Sequence, residues 1–193
     1  MPNPNASLPE RLEAVPPERY DPAQREAAAS FEALRGVPVF GPFEPLLHSP
    51  EVMTNASRLG EYLRYRSAIG TRLSEFVILL VARDWSQDYE WHVHAPIALR
   101  EGVAAETVAA IADGRRPDGM SEDEETCWTF ATELLRTRRV SDPTYGRALA
   151  RFGERGIVDL AALVGYYGLL AAAMNTARTA LPEGGTRLPR FPE

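Results

Sequence analysis

Two neighbouring stretches, LSEFVILLVAR at residues 73–83 and DYEWHVHAPIALREG at residues 88–102, decide the fold. In the first, Phe76 to Ala82 is apolar at every position. A helix that is apolar all round is a buried one. The spacing predicts a helix from Leu73 to about Trp85, then a polar break over Ser86 to Asp88. A second helix follows from Tyr89 to Glu101, closed by Gly102, a residue suited to the position just past a helix end. Ala68 to Arg72 reads as a loop.

Working outward, helical spacing recurs on both sides. Toward the N-terminus, Val52, Ala56, Leu59, Tyr62 and Leu63 mark one face of a helix from Ser49 or Pro50 to about Arg66. Ala23 to Arg35 is a shorter helix, ended by Gly36 and Pro38. Val37 to Pro45 is turn-rich and holds the only plausible strand. Residues 1–20 carry five prolines and read as an extended arm, either disordered or laid over the body. Toward the C-terminus, Ala105 to Asp113 is a short helix. Ser121 with Glu124 has the pattern of a capping box and opens a helix to about Arg138. Asp142 with Pro143 opens another, to about Phe152. Ile157 to Ala180 is the last. Its Leu160, Leu163, Val164, Tyr167, Leu170 and Met174 form a large apolar stripe. Ala161, Gly165, Gly168 and Ala172 form a row of small residues, suited to a core helix or to contact with a second subunit. Residues 182–193 are rich in Pro and Gly and read as a loose tail. The expectation is an all-α chain with one helical domain over residues 21–181, since the alternating strands of an α/β fold are missing.

Composition narrows the function. The 193 residues carry 21 Lys and Arg against 27 Asp and Glu, for a net charge of −6. An acidic chain is not expected to be a general nucleic-acid binder, although a local basic pocket for a small anion remains open. Leu160 to Met174, 15 residues, is the longest stretch free of strongly polar groups, short of the ~18–20 needed to span a bilayer. No signal peptide is read at the N-terminus, so a cytoplasmic protein without a membrane partner is expected. The single cysteine, Cys127, has no CxxC or His partner nearby and reads as a structural thiol.

The densest group of reactive side chains is Asp88 to His94. On a helix, Glu90 and His94 share a face, so a carboxylate can orient the imidazole and raise its proton affinity. The plainer alternative is an ordinary surface ion pair. His92 and His94 are two apart and diverge on a helix, so no metal site is expected and His92 reads as a packing, subunit-contact or surface residue. Pro96 either kinks this helix or restarts it. Glu75 lies in the first turn of the most apolar helix, where the helix dipole alone accounts for a carboxylate. Its face continues into the core, which also suits an acid of raised pKa.

Taken together, Leu73–Arg83, then Tyr89-Glu90-Trp91 with His94 and Ala98, then Gly102-Val103 and Glu106 to Ile111, resemble the carboxymuconolactone decarboxylase family. That all-helical superfamily also contains the alkylhydroperoxidase D type. The resemblance rests on about 40 residues, with a Glu nineteen positions before a His. It implies a helical bundle of that type, a homo-oligomer, no cofactor, and a lyase acting on a small, carboxylated, anionic metabolite from the breakdown of aromatic compounds. It implies a catalytic set of Glu75, Glu90 and His94. Tyr89 and Trp91 are candidate substrate contacts, and Arg64 and Arg83 are candidate anchors for a substrate carboxylate. In the peroxidase-like branch a CxxC pair stands seven and four residues before the His. Those positions are Gln87 and Glu90 here, so thiol peroxidase chemistry is not carried over. Isomerisation, hydrolysis or dehydration on the same site, or a non-catalytic binding role, are the alternatives.

Overall fold

The computed structural model describes residues 9–190. Among them the regular structure is helical, with no strand: α1 (Pro22–Arg35), α2 (Phe43–Leu46), α3 (Pro50–Tyr65), α4 (Thr71–Asp84), α5 (Asp88–Arg100), α6 (Ala105–Ala112), α7 (Glu122–Thr137) and α8 (Asp142–Ala177). The chain is all-α. At the centre stands α4, whose Phe76, Val77, Ile78, Leu79 and Val81 have no exposed surface. Helices α5, α7 and α8 pack around it, α3 and α6 touch its flanks, and α1 covers α3.

The capping signals work as their chemistry requires. The Ser121 hydroxyl accepts the Glu124 N–H, and the Glu124 carboxylate accepts the Ser121 N–H, closing a capping box. The same carboxylate pairs with Arg72 at 2.5 Å, tying the start of α4 to the start of α7. Ser121→Ala is expected to cost about 1 kcal/mol, the usual loss for a capping hydroxyl. A urea titration checks this, and an unchanged midpoint would show that the cap contributes nothing.

In α8 the two helices expected from the sequence form one element with a break at Gly153 (φ +66°, ψ 179°), a backbone conformation that favours glycine. By length and composition this helix is apolar enough to cross a membrane, with a mean hydropathy of 1.8 over its most apolar window. Half of that window is buried inside the protein, as in a core helix.

Three local expectations are corrected. Val37 to Pro45 forms no strand: it is a turn around Gly41 (φ +52°) leading into α2, because Pro38, Gly41 and Pro42 break any extended run. Helix α4 begins at Thr71, two residues earlier than the spacing indicates, after Gly70 (φ +77°) makes the turn. Residues 182–190 are anchored rather than loose. Leu188 is buried and its N–H donates to Asp88 (3.0 Å), Arg190 pairs with Asp88 (2.6 Å), and the Pro189 carbonyl accepts from Arg83 (2.7 Å).

The N-terminal arm, from residue 9 onward, lies over the body. The Arg11 N–H donates to the Ala177 carbonyl (2.7 Å), the Ala180 N–H to Glu10 (2.6 Å), and His48 Nε2–H to the Glu13 carbonyl (3.1 Å). Residues 1–8 and 191–193, read as the ends of arm and tail, fall outside the described residues. Proline does not interrupt α5, which runs through Pro96 as one element.

Candidate active site

Helix α4 presents Glu75 one turn inside its N-terminus, and α5 presents Glu90 and His94 on one face. All three side chains are buried. His94 Nδ1–H donates to Glu75 Oε2 at 2.6 Å, and Nε2 faces Glu90 Oε2 at 3.2 Å. The imidazole is thus held between two carboxylates. The other Glu75 oxygen lies 3.6 Å from Arg64 Nη2, delivered by the last turn of α3. The Tyr167 hydroxyl of α8 stands 3.5 Å from His94 Nε2, and its ring meets the imidazole edge-on at 5.2 Å.

Electrostatics follow from this enclosure. Burial disfavours the imidazolium, but hydrogen bonds and charges from Glu75 and Glu90 outweigh it and raise the His94 pKa above its ordinary value. Burial also raises the Arg64 cost of charge, yet Tyr167, Glu75, Tyr65 and Glu90 more than offset it, and its pKa rises. Burial holds Tyr167 well above the normal phenol range, so its O–H stays protonated. With His94 protonated and Tyr167 neutral, two cations and two carboxylates balance in the cluster.

A cavity of about 50 Å³ opens beside His94, walled by Arg35, Arg64, Tyr89, Glu90, Tyr166 and Tyr167, with Phe40, Phe43 and Leu170 as apolar sides. Among the described residues, three buried side-chain atoms lack a hydrogen-bond partner: Arg35 Nε, Arg64 Nε and Glu90 Oε1. All three belong to residues lining this one cavity. An unpartnered buried polar atom costs about 1–3 kcal/mol. Two guanidinium groups and one carboxylate lining one space suit a ligand that accepts from the former and gives a proton to the latter.

The expected residues are only partly brought together. Glu75, Glu90, His94, Arg64 and Tyr89 are at or beside the cavity. Trp91 turns into the core, 5% exposed. Arg83 points to the far side of α4, where it donates to the Ala112 carbonyl (3.3 Å) and lines a separate cavity with Arg115 and Trp128. His92 Nδ1 accepts the Thr186 N–H (3.2 Å), so it holds the tail. Cys127 is fully buried, its thiol pushed up to about 12 by burial, and it lies outside this cavity.

No protein-family model and no curated protein matches this chain. The case for the site therefore rests on its geometry.

Sequence reasoning missed Arg35 and Tyr166 as cavity residues and the position of Tyr167 beside His94. Arg35 is fixed by the Ser57 carbonyl (3.2 Å), by Glu61 (3.7 Å) and by the Phe43 ring 5.6 Å below its Cζ. The one available signal for Tyr166 is Gly60: a Cβ there would overlap the Tyr166 hydroxyl, so the glycine makes room for that ring.

Proposed function

We propose that this protein is an acid–base lyase of the carboxymuconolactone decarboxylase type, removing a carboxyl group from a small lactone or related anionic metabolite. The observation that carries the proposal is that Arg35, Arg64 and Glu90, each holding a buried polar atom without a partner, all line the cavity beside His94. The Glu75–His94 hydrogen bond across nineteen residues adds support, since those two positions carry the family resemblance.

In this mechanism the guanidinium groups of Arg35 and Arg64 hold the substrate carbonyl that becomes negatively charged. The carboxylate to be lost lies against the apolar wall of Phe40, Phe43 and Leu170, where poor solvation favours loss of its charge. The C–C bond to that carboxylate breaks, CO2 leaves, and the bonding pair enters an enolate whose oxygen the arginines stabilise. His94 Nε2–H then protonates the carbon. Glu75 keeps the ring oriented through Nδ1, and solvent restores the proton. Glu90 positions Nε2 and supports the positive charge of the imidazolium. Thiol peroxidase chemistry is disfavoured because Gln87 and Glu90 occupy the two cysteine positions.

Glu90 and His94 line one cavity, with Glu75 hydrogen-bonded to His94 from behind, and this grouping supports the reading over a non-catalytic binding protein. A homo-oligomer in the cytoplasm is part of the same proposal, and the exposed Val158 and Leu169 on α8, with Gly165 between them, offer a face for a second copy.

The test is CO2 release from a γ-carboxylated muconolactone by the intact chain. Glu90→Gln keeps the shape but removes the charge, and turnover should fall about 10²-fold, the low end for acid–base groups. Turnover by the wild type that persists undiminished in Glu90→Gln would remove Glu90 from the mechanism. No CO2 from this or related lactone acids would overturn the lyase proposal.

A further inference from the structure

The cavity beside His94 is too small for a whole metabolite. Its roughly 50 Å³ is under twice the ~30 Å³ that one water occupies in the liquid. Only the reacting end of a ligand fits there, whereas sites for complete small molecules run to about 300–1,000 Å³. The remainder of any ligand needs a second space in continuity with the first.

The candidate is the space on the other side of Tyr89. A groove of about 540 Å³ runs between the start of α5, the end of α8 and the C-terminal tail. Tyr89 lines both the groove and the inner cavity, and is the one residue they share. Along α8 the two spaces follow one another, with Tyr167 and Leu170 facing the cavity and Met174, Asn175 and Arg178 facing the groove. Tyr89 lies against Gly41, at a site with no room for a Cβ. The groove floor is fixed by polar contacts: Gln87 accepts the Tyr89 N–H (2.7 Å) and donates to Asn175 (2.9 Å), which donates to the Trp85 carbonyl (3.1 Å).

The charge of the groove opposes that of the protein. Its acidic members are already engaged: Asp88 pairs with Arg190 (2.6 Å), and Glu10 accepts the Ala180 N–H (2.6 Å). Arg178 and Arg187 also line it, and neither forms an ion pair among the described residues. With three arginines against the carboxylates of Glu10 and Asp88, the lining carries a net positive charge on a chain of net charge −6, which makes this concave surface a local site for anions.

We infer that the groove is the outer half of the substrate site, so that the ligand is an elongated dianion that straddles Tyr89, one end beside His94 and a second acidic group on Arg178 and Arg187. This rests on the cavity beside His94 being the reacting site. Tyr89 then sets how thick a ligand can be where it passes between the two spaces.

The probes are formate, a single carboxylate small enough for the inner cavity, and adipate, which carries a carboxylate at each end of a flexible chain. Calorimetric titration of the full chain should show each binding, with formate and adipate competing. The double substitution Arg178→Glu/Arg187→Glu should weaken adipate about tenfold or more, because two attractions become repulsions. Formate affinity should stay within about twofold, and circular dichroism should match the wild type. The inference is overturned if adipate binds the double variant as well as the wild type. It is also overturned if both probes weaken equally, if they bind independently, or if adipate does not bind at all. Failure of the lyase proposal looks different: adipate binding would keep its dependence on Arg178 and Arg187 while no lactone acid released CO2.

Discussion

Glu75→Ala is expected to be the most destabilising single substitution in the protein. Glu75 is 1% exposed and meets both His94 and Arg64. Removing it leaves the partly buried Arg64 guanidinium without this carboxylate and the buried imidazole with Glu90 alone. Breaking a buried ion pair in this way typically costs about 3–5 kcal/mol. Set against a whole-domain stability of about 5–15 kcal/mol, that is a large fraction. Urea unfolding at neutral pH measures it, and a loss below about 1 kcal/mol would show that the cluster is relaxed or hydrated rather than tightly packed. Glu75→Gln separates charge from shape. It keeps an acceptor for Nδ1–H and should lie between wild type and alanine.

His94→Gln is expected to abolish most turnover while leaving an amide that still bonds a carboxylate. Loss of the proton donor predicts a fall of about 10²–10⁴-fold in CO2 release. The same substitution should change how stability depends on pH. The folded His94 pKa lies above its unfolded value, so folding binds the proton more tightly. Its contribution is then fully present below the unfolded value of about 6.5 and is lost as pH rises through the folded pKa. Wild-type stability should therefore decline over that window, and His94→Gln should flatten the decline. An equal slope in both proteins would mean that His94 does not titrate as the geometry requires. Turnover within a few-fold of the wild type would exclude it as the proton donor.

The legible parts of the molecule are those written in local patterns. The all-apolar run Phe76 to Ala82 identified the central helix, and Ser121 with Glu124 identified a helix start that the capping box then formed. The Glu90–His94 pair was legible because residues four apart on a helix must share a face. Arg35 was not, because nothing in α1 says that its last turn meets α8, and the pairing depends on how α1 packs over α3. Trp91 and Arg83 failed for the converse reason. Sequence proximity to Glu90 or Glu75 does not keep a side chain near them, since one residue turns a helix by about 100°. The tail escaped because Pro and Gly content describes local stiffness and is silent about Leu188 finding a buried seat and Asp88 accepting its N–H.

The balance of charge around His94 limits how this interior can drift. Glu75, Glu90, Arg64 and protonated His94 sum to zero in a place where water cannot screen a remainder. A change that removes one carboxylate leaves an excess cation, and a change that removes Arg64 leaves an excess anion. The tolerated routes are therefore coupled ones, such as Glu75→Gln together with Arg64→Gln, in which parity survives each pair of changes. A saturation library built one position at a time would show stability losses at these sites, and a pairwise library would find exchanges that restore part of them.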